Sequence, residues 1–100
     1  MKHHDYDLKE RIINEYINKK DEFISYGIDK LWLFGSIIDG TYYDNSDIDV
    51  VITMKANTNF LEAFSFIKKF NKMRFDKNSD VLESEDFEML NKDLKKIRII

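Results

Sequence analysis

The chain has 100 residues, a formal net charge of −3 and an apolar fraction of 43%, enough for one small core and a single domain. It contains no cysteine, which excludes disulfides, a thiolate zinc site and a thiol nucleophile, and its mild negative charge argues against an extended nucleic-acid-binding face. No apolar stretch reaches the ~18 residues of a membrane span and Met1 to Glu10 is polar and charged, so a cytoplasmic protein with no membrane association is the expectation.

In chain order, His3 and His4 fall in a polar terminus with no spaced third ligand to argue for a metal. Leu8, Ile12, Tyr16 and Ile17, then Phe23 and Ile24, recur at helical spacing and predict one helix from Asp5 to Tyr26, ended by Gly27. The apolar run Leu31 to Phe34 predicts a strand over 29–34 that stops at a tight turn at Gly35. Ser36 is placed to cap a short helix that Gly40 closes. Tyr42 and Tyr43 lie in the loop that follows, available either to stack on a base or a partner or to cover the sheet edge. Asn45-Ser46 is turn chemistry, and a second strand runs from Asp47 to Thr53. After a polar connection over 56–59, Asn59 with Glu62 resembles a capping arrangement for a helix to about Lys72, with Phe60, Phe64 and Ile67 inward. The basic run Lys68, Lys69, Lys72, Arg74 and Lys77 reads as a solvated face rather than a phosphate contact. Ser79 to Glu83 is a third strand. Ser84, Glu85 and Asp86 open a last helix with Phe87, Leu90 and Leu94 on its apolar face, and 97–100 forms a terminal edge strand. Strands alternating with helices imply an α/β (α+β) arrangement, a small mixed sheet flanked by helices.

Within this frame two segments carry chemistry. Residues two apart on a strand share a face at roughly 6.5 Å, so Asp47 and Asp49 project together while Ile48, Val50 and Ile52 face a core. Two carboxylates so spaced suit Mg²⁺, a hard ion bound by one or two carboxylates together with substrate phosphates. Backbone N–H groups at a turn such as Gly35-Ser36 are natural phosphate ligands. The plain alternative is an acidic turn, Asp44 to Asp47, that solvates the entry to a strand. A lone Asp-x-Asp favours that reading; Gly35-Ser36 ten residues earlier reverses the preference.

Leu33-Phe34-Gly35-Ser36, ten residues, then Asp47-Ile48-Asp49-Val50 resembles the signature of the minimal nucleotidyltransferases, the small branch of the DNA polymerase β-like superfamily. The resemblance implies a polymerase β-like palm fold and Mg²⁺-dependent transfer of AMP from ATP. It implies that Gly35 and Ser36 hold the triphosphate and that Asp47 and Asp49 bind the metal. Two-metal transfer uses ions about 3.5–4 Å apart and calls for a further acid. The match continues at Ser79-Asp80-Val81-Leu82, which maps that catalytic and metal-binding role onto Asp80; Glu83 would point to the opposite face. Many relatives place arginine before the glycine that follows the turn, whereas this chain has Asp39 before Gly40, exchanging a cation for an anion near the nucleotide. The resemblance also implies a partner, a small helical HEPN-type toxin whose tyrosine hydroxyl accepts AMP, which makes the chain the antitoxin of a toxin–antitoxin pair. Asp39 motivates a different class of function, a catalytically inactive antitoxin that neutralises by binding alone; a nucleotide sensor that binds ATP without transfer is a third.

Overall fold

Consecutive buried residues at the centres of the two middle strands divide between two clusters, one on each sheet face, which gives the sheet a thick face and a thin one. The structure, a computed structural model, describes residues 6–43, 45–90 and 92–100; the side chains of 6, 7 and 90 are not described, and His3, His4, Asp44 and the first predicted helical residue, Asp5, lie outside this set. The elements are α1 (Tyr6–Asn18), α2 (Lys20–Ser25), β1 (Ile28–Phe34), α3 (Ser36–Asp39), β2 (Ile48–Met54), α4 (Phe60–Phe75), β3 (Ser79–Glu83), α5 (Phe87–Leu90) and β4 (Lys96–Arg98). The sheet order is β3-β2-β1-β4. β1 pairs antiparallel with β2 and β4, while β2 and β3, joined through α4, are parallel. This is the mixed sheet flanked by helices that the alternation implies.

The thick face buries Leu31 and Leu33 of β1, Ile48, Val50 and Ile52 of β2 and Val81 of β3 against Ile12 and Tyr16 of α1, Phe23 of α2 and Ala63, Ile67 and Phe70 of α4. Burial of a large apolar side chain stabilises the fold by about 1.5–3 kcal/mol, so this layer dominates stability. The thin face carries a smaller cluster in which Phe87 of α5 covers Trp32, Val51 and part of Phe34. β3 thereby remains an edge strand with Leu82 half exposed.

Four expectations are corrected by packing. The predicted single helix over 5–26 breaks at Lys19, whose backbone leaves helical geometry (φ −100°, ψ 11°). Residues seven apart on a straight helix are separated by about 10 Å of rise, yet the rings of Tyr16 and Phe23 stack at 5.0 Å, and both meet Phe70 edge-on at 5.2 and 5.3 Å. The break brings these aromatics together. α4 continues past Lys72 to Phe75 because Phe70 and Phe75 are themselves buried; its start follows expectation, with Asn59 Oδ1 accepting from the Leu61 amide at 2.9 Å. The last helix is one turn only. The chain has to reach the β1 edge by Lys96, and a helix carried through Leu94 would leave no length for that crossing; Leu94 sits exposed in a bend. Finally, Gly35 and not Ser36 occupies the cap of α3, with no side-chain cap bond, and Ser36 is the first helical residue. Gly40 closes α3 in the left-handed conformation, as expected.

A buried polar chain fixes the start of β3. The Tyr16 hydroxyl donates to Asn71 Oδ1 at 2.6 Å and Asn71 Nδ2 donates to Ser79 Oγ at 2.6 Å. Burial pushes the Tyr16 phenol well above its ordinary range, so it stays a neutral donor. Asn71→Ala orphans the Tyr16 hydroxyl and frees Ser79, next to Asp80; we expect a loss of about 2–4 kcal/mol in urea unfolding. A loss under 1 kcal/mol would show that the chain is dispensable.

Candidate functional site

The carboxylates meet because of register, which the sequence alone does not display. Asp49 on β2 is paired with Asp80 on β3 and with Phe34 on β1. Directly paired residues share a sheet face, so Asp49, Asp80 and Phe34 form one cross-strand row on the thin face. Asp47 sits two residues before Asp49, just outside β2, which begins at Ile48. Ile48, Val50 and Ile52 are buried on the other face, as the alternation requires. Asp47 and Asp80 are exposed and Asp49 is half-buried between them. Glu83 pairs with Ile52 and so belongs to the opposite face from Asp80.

Electrostatics mark this row. Partial burial, and then the neighbouring charges of Asp80 and Asp47, push the Asp49 carboxyl up to about 6. Like charges without a cation disfavour ionisation in this manner. Among the described residues no three acidic or imidazole side chains surround a single point; Asp49 and Asp80 sit side by side across β2 and β3, and Asp47 precedes them just outside β2. Their donor atoms are all hard carboxylate oxygens, the type Mg²⁺ selects, and an ion that keeps most of its ligands as water and phosphate oxygens needs only one or two of them. The donor chemistry therefore fits the metal.

Gly35 abuts the row. Its backbone (φ 84°, ψ −165°) occupies a region open almost only to glycine. A Cβ built there would fall on Asp49 Oδ2 and lie 2.8 Å from Asp49 Cγ. The missing side chain is what allows the turn to lie against the carboxylate, a requirement that the Gly-Ser motif does not state on its own. The Gly35 carbonyl accepts from the amides of Ile38 and Asp39, and the Ser36 carbonyl from those of Gly40 and Thr41.

The surrounding residues divide clearly. Asp39 is exposed, and its Oδ1 accepts from the Thr41 hydroxyl at 2.6 Å and the Thr41 amide at 3.0 Å. These bonds, with a smaller pull from Lys95, hold its carboxyl below the usual range, so it stays an anion. Tyr42 is buried in the main core while Tyr43 is exposed in the loop, its amide bonded to Ser46 Oγ at 2.8 Å. In the basic run, Lys72 pairs with Asp76 at 3.2 Å and Arg74 with Glu15 at 3.1 Å. Lys68 lies over the Phe64 ring and donates to the Ser79 carbonyl at 3.2 Å. These contacts belong to a helix face. A cleft of about 180 Å³ beside Asp47 is lined by Asn45, Ser46, Lys72, Lys77 and Asn78. A larger groove of about 550 Å³ runs along the outside of α4 at Tyr26, Leu61 and Phe66, in the helical layer and away from the carboxylates. Sequence reasoning missed Asn71 and Ser79, since neither a helix period nor a motif distinguishes a buried amide from a solvated one.

Comparison with known proteins agrees with this geometry. No match was found among curated proteins. Among solved structures, the chain is similar to a nucleotidyltransferase candidate from Sulfolobus solfataricus at 21% identity (90% of this chain, 80% of that one, TM-score 0.55). It is also similar to the toxin–antitoxin MntA-HpeT carrying two Asp→Glu substitutions two positions apart, at 19% identity (88% and 72%, TM-score 0.62). A third likeness is to a toxin–antitoxin structure with AMP-PNP, at 26% identity (67% and 56%, TM-score 0.50). No helix among the described residues is long and apolar enough to cross a membrane. The family model for polymerase beta nucleotidyltransferases matches residues 10–99, a span that takes in the Gly35 turn, all three carboxylates and every strand. The chain belongs to the polymerase beta nucleotidyltransferase family.

Proposed function

We propose that the chain transfers AMP from ATP to a tyrosine hydroxyl of a small helical HEPN-type toxin, and so acts as an antitoxin. The observation that carries this reading is the half-buried Asp49, flanked by Asp80 and Asp47 and pressed against Gly35. Uncompensated like charge is a standing cost to a domain of this size, and a cation-dependent reaction gives a reason for it. Family membership supports nucleotidyl transfer. The two toxin–antitoxin neighbours, one with AMP-PNP and one altered at two acids two positions apart, supply the analogy for partner and nucleotide.

Gly35 and Ser36 would seat the triphosphate through the turn, holding the α-phosphorus beside the carboxylate row. Asp47 and Asp49 would hold Mg²⁺, with Asp80 completing the set. When bound, the metal supplies positive charge that stabilises the attacking and leaving oxygens. The acceptor oxygen bonds to the α-phosphorus as the bond to the β-phosphate oxygen breaks and pyrophosphate departs. Asp80, exposed on the edge strand, would take the hydroxyl proton. Exposure of Asp80 and of the β3 edge leaves room for a macromolecular acceptor.

Co-expression with the toxin tests the proposal. Asp47→Ala should still co-purify with the partner yet lose suppression of its toxicity, with nucleotidyl transfer down about a hundred- to a thousandfold, the range for losing a principal charge-stabilising group. Asp39, which puts an anion beside the turn, favours a second reading, neutralisation by binding alone. Under it, Asp47→Ala would suppress the toxin as well as wild type does.

A further inference from the structure

The nucleotide reading leaves a charge problem: a triphosphate must approach three carboxylates, and α3 adds a fourth at Asp39. The row that contains Asp80, Asp49 and Phe34 has one more member. Phe34 pairs with Lys96 of β4 on its other side. The four side chains of the row therefore project from the thin face in the order Asp80, Asp49, Phe34, Lys96, with acid at one end and base at the other. Adjacent strands are about 4.8 Å apart, so Lys96 stands one strand from Phe34, and Phe34 leads directly into Gly35. The flexible four-carbon stem of lysine covers such a step and presents a compact cation that suits phosphate. Its ammonium donates to the Leu94 carbonyl at 3.4 Å, within the same turn. Arg98, next on this face, pairs with Trp32 and not with Phe34; it donates to the Ile100 carbonyl at 2.8 Å and lies over the Trp32 ring, one step further from Gly35. Lys95 precedes β4 and has no strand partner, and its charge is felt by Asp39.

We propose that Lys96 is a nucleotide-binding residue, its ammonium contacting the β- and γ-phosphates of the triphosphate seated at Gly35-Ser36. The assignment rests on the function proposed above. Lys96 thereby supplies from β4 the positive charge that Asp39 does not supply from α3, and it selects triphosphate over monophosphate. The carboxylate end of the row handles metal and acceptor while the lysine end handles the leaving group.

Calorimetric titration with ATP and with AMP, both in Mg²⁺, tests this on the full chain. Lys96→Ala should weaken ATP binding about tenfold or more, the range for a lost charge-assisted hydrogen bond, and leave AMP binding within about twofold. Lys95→Ala, with the same change in net charge but outside the paired row, should stay within about threefold of wild type for ATP, and Lys96→Arg should bind nearly as wild type does. Thermal melts verify that each variant folds. Equal losses in Lys95→Ala and Lys96→Ala, equal losses for ATP and AMP, or no loss in Lys96→Ala would overturn the assignment while leaving the nucleotidyltransferase reading in place. A wild-type chain that binds no ATP would overturn that reading, and this one with it.

Discussion

Gly35→Ala is expected to destabilise the protein by about 2–4 kcal/mol and to abolish nucleotidyl transfer. Two independent costs combine. The backbone at φ 84° and ψ −165° lies where a side chain brings about 1–3 kcal/mol of strain. The new methyl would also occupy the position of Asp49 Oδ2 and press on Asp49 Cβ at 3.1 Å. Either the turn retreats or the carboxylate swings away, and both responses separate the phosphate seat from the metal ligand. Gly40→Ala is the matched control. Gly40 also has a positive φ, 91°, but nothing lies within 4 Å of its would-be Cβ, so only strain of about 1–2 kcal/mol applies and transfer should persist. Urea unfolding and an AMP-transfer assay on both variants make the comparison. A Gly35→Ala protein with wild-type stability and activity would remove Gly35 from the site.

Asp49→Asn is expected to stabilise the metal-free protein near neutral pH while eliminating transfer. Folding raises the Asp49 carboxyl from its ordinary 3.8 to about 6. For an acid shifted in this direction, its favourable contribution is complete below pH 4 and is lost as pH rises through about 6. Above that, folding bears the repulsion of an ionised Asp49 beside Asp80 and Asp47. Because Asp49 is half-buried and not enclosed, solvent screening reduces the effect to about 1 kcal/mol. Metal-free wild type should therefore lose stability between pH 4 and 7 relative to Asp49→Asn, and the two curves should converge toward pH 4. Mg²⁺ should raise the melting temperature of wild type by several degrees and leave Asp49→Asn nearly unchanged. Parallel pH profiles for the two proteins would show that the carboxylates do not feel one another. Gain of stability with loss of function is the expected mark of a site whose charge is kept for chemistry.

What was legible in the chain follows the reach of local rules. The faces of β2 could be read directly because strand period alone separates Asp47 and Asp49 from Ile48, Val50 and Ile52, and Asn59 announces α4 through its own side chain. Register lies beyond such rules. Asp80 could be placed on a strand, but its pairing with Asp49, and that of Lys96 with Phe34, depend on how α4 and the 84–95 segment return the chain to the sheet. The break at Lys19 has no glycine or proline to signal it; it arises from the packing of Tyr16, Phe23 and Phe70 across three helices. Leu94 has helical spacing from Phe87, yet topology overrides that spacing. The intimacy of Gly35 with Asp49 is likewise a tertiary fact, the contact of two motif halves that ten residues of sequence separate.

The central claim is that the carboxylate row performs nucleotidyl transfer. Its most direct test is incubation of the purified chain with its co-purifying partner, Mg²⁺ and ATP labelled at the α-phosphate, with Asp47→Ala alongside. The account predicts label fixed covalently on a tyrosine of the partner, dependent on Mg²⁺, with pyrophosphate released in equal amount and both products reduced about a hundredfold or more in Asp47→Ala. A partner left unlabelled by the wild-type chain, yet silenced equally by wild type and variant, would contradict it.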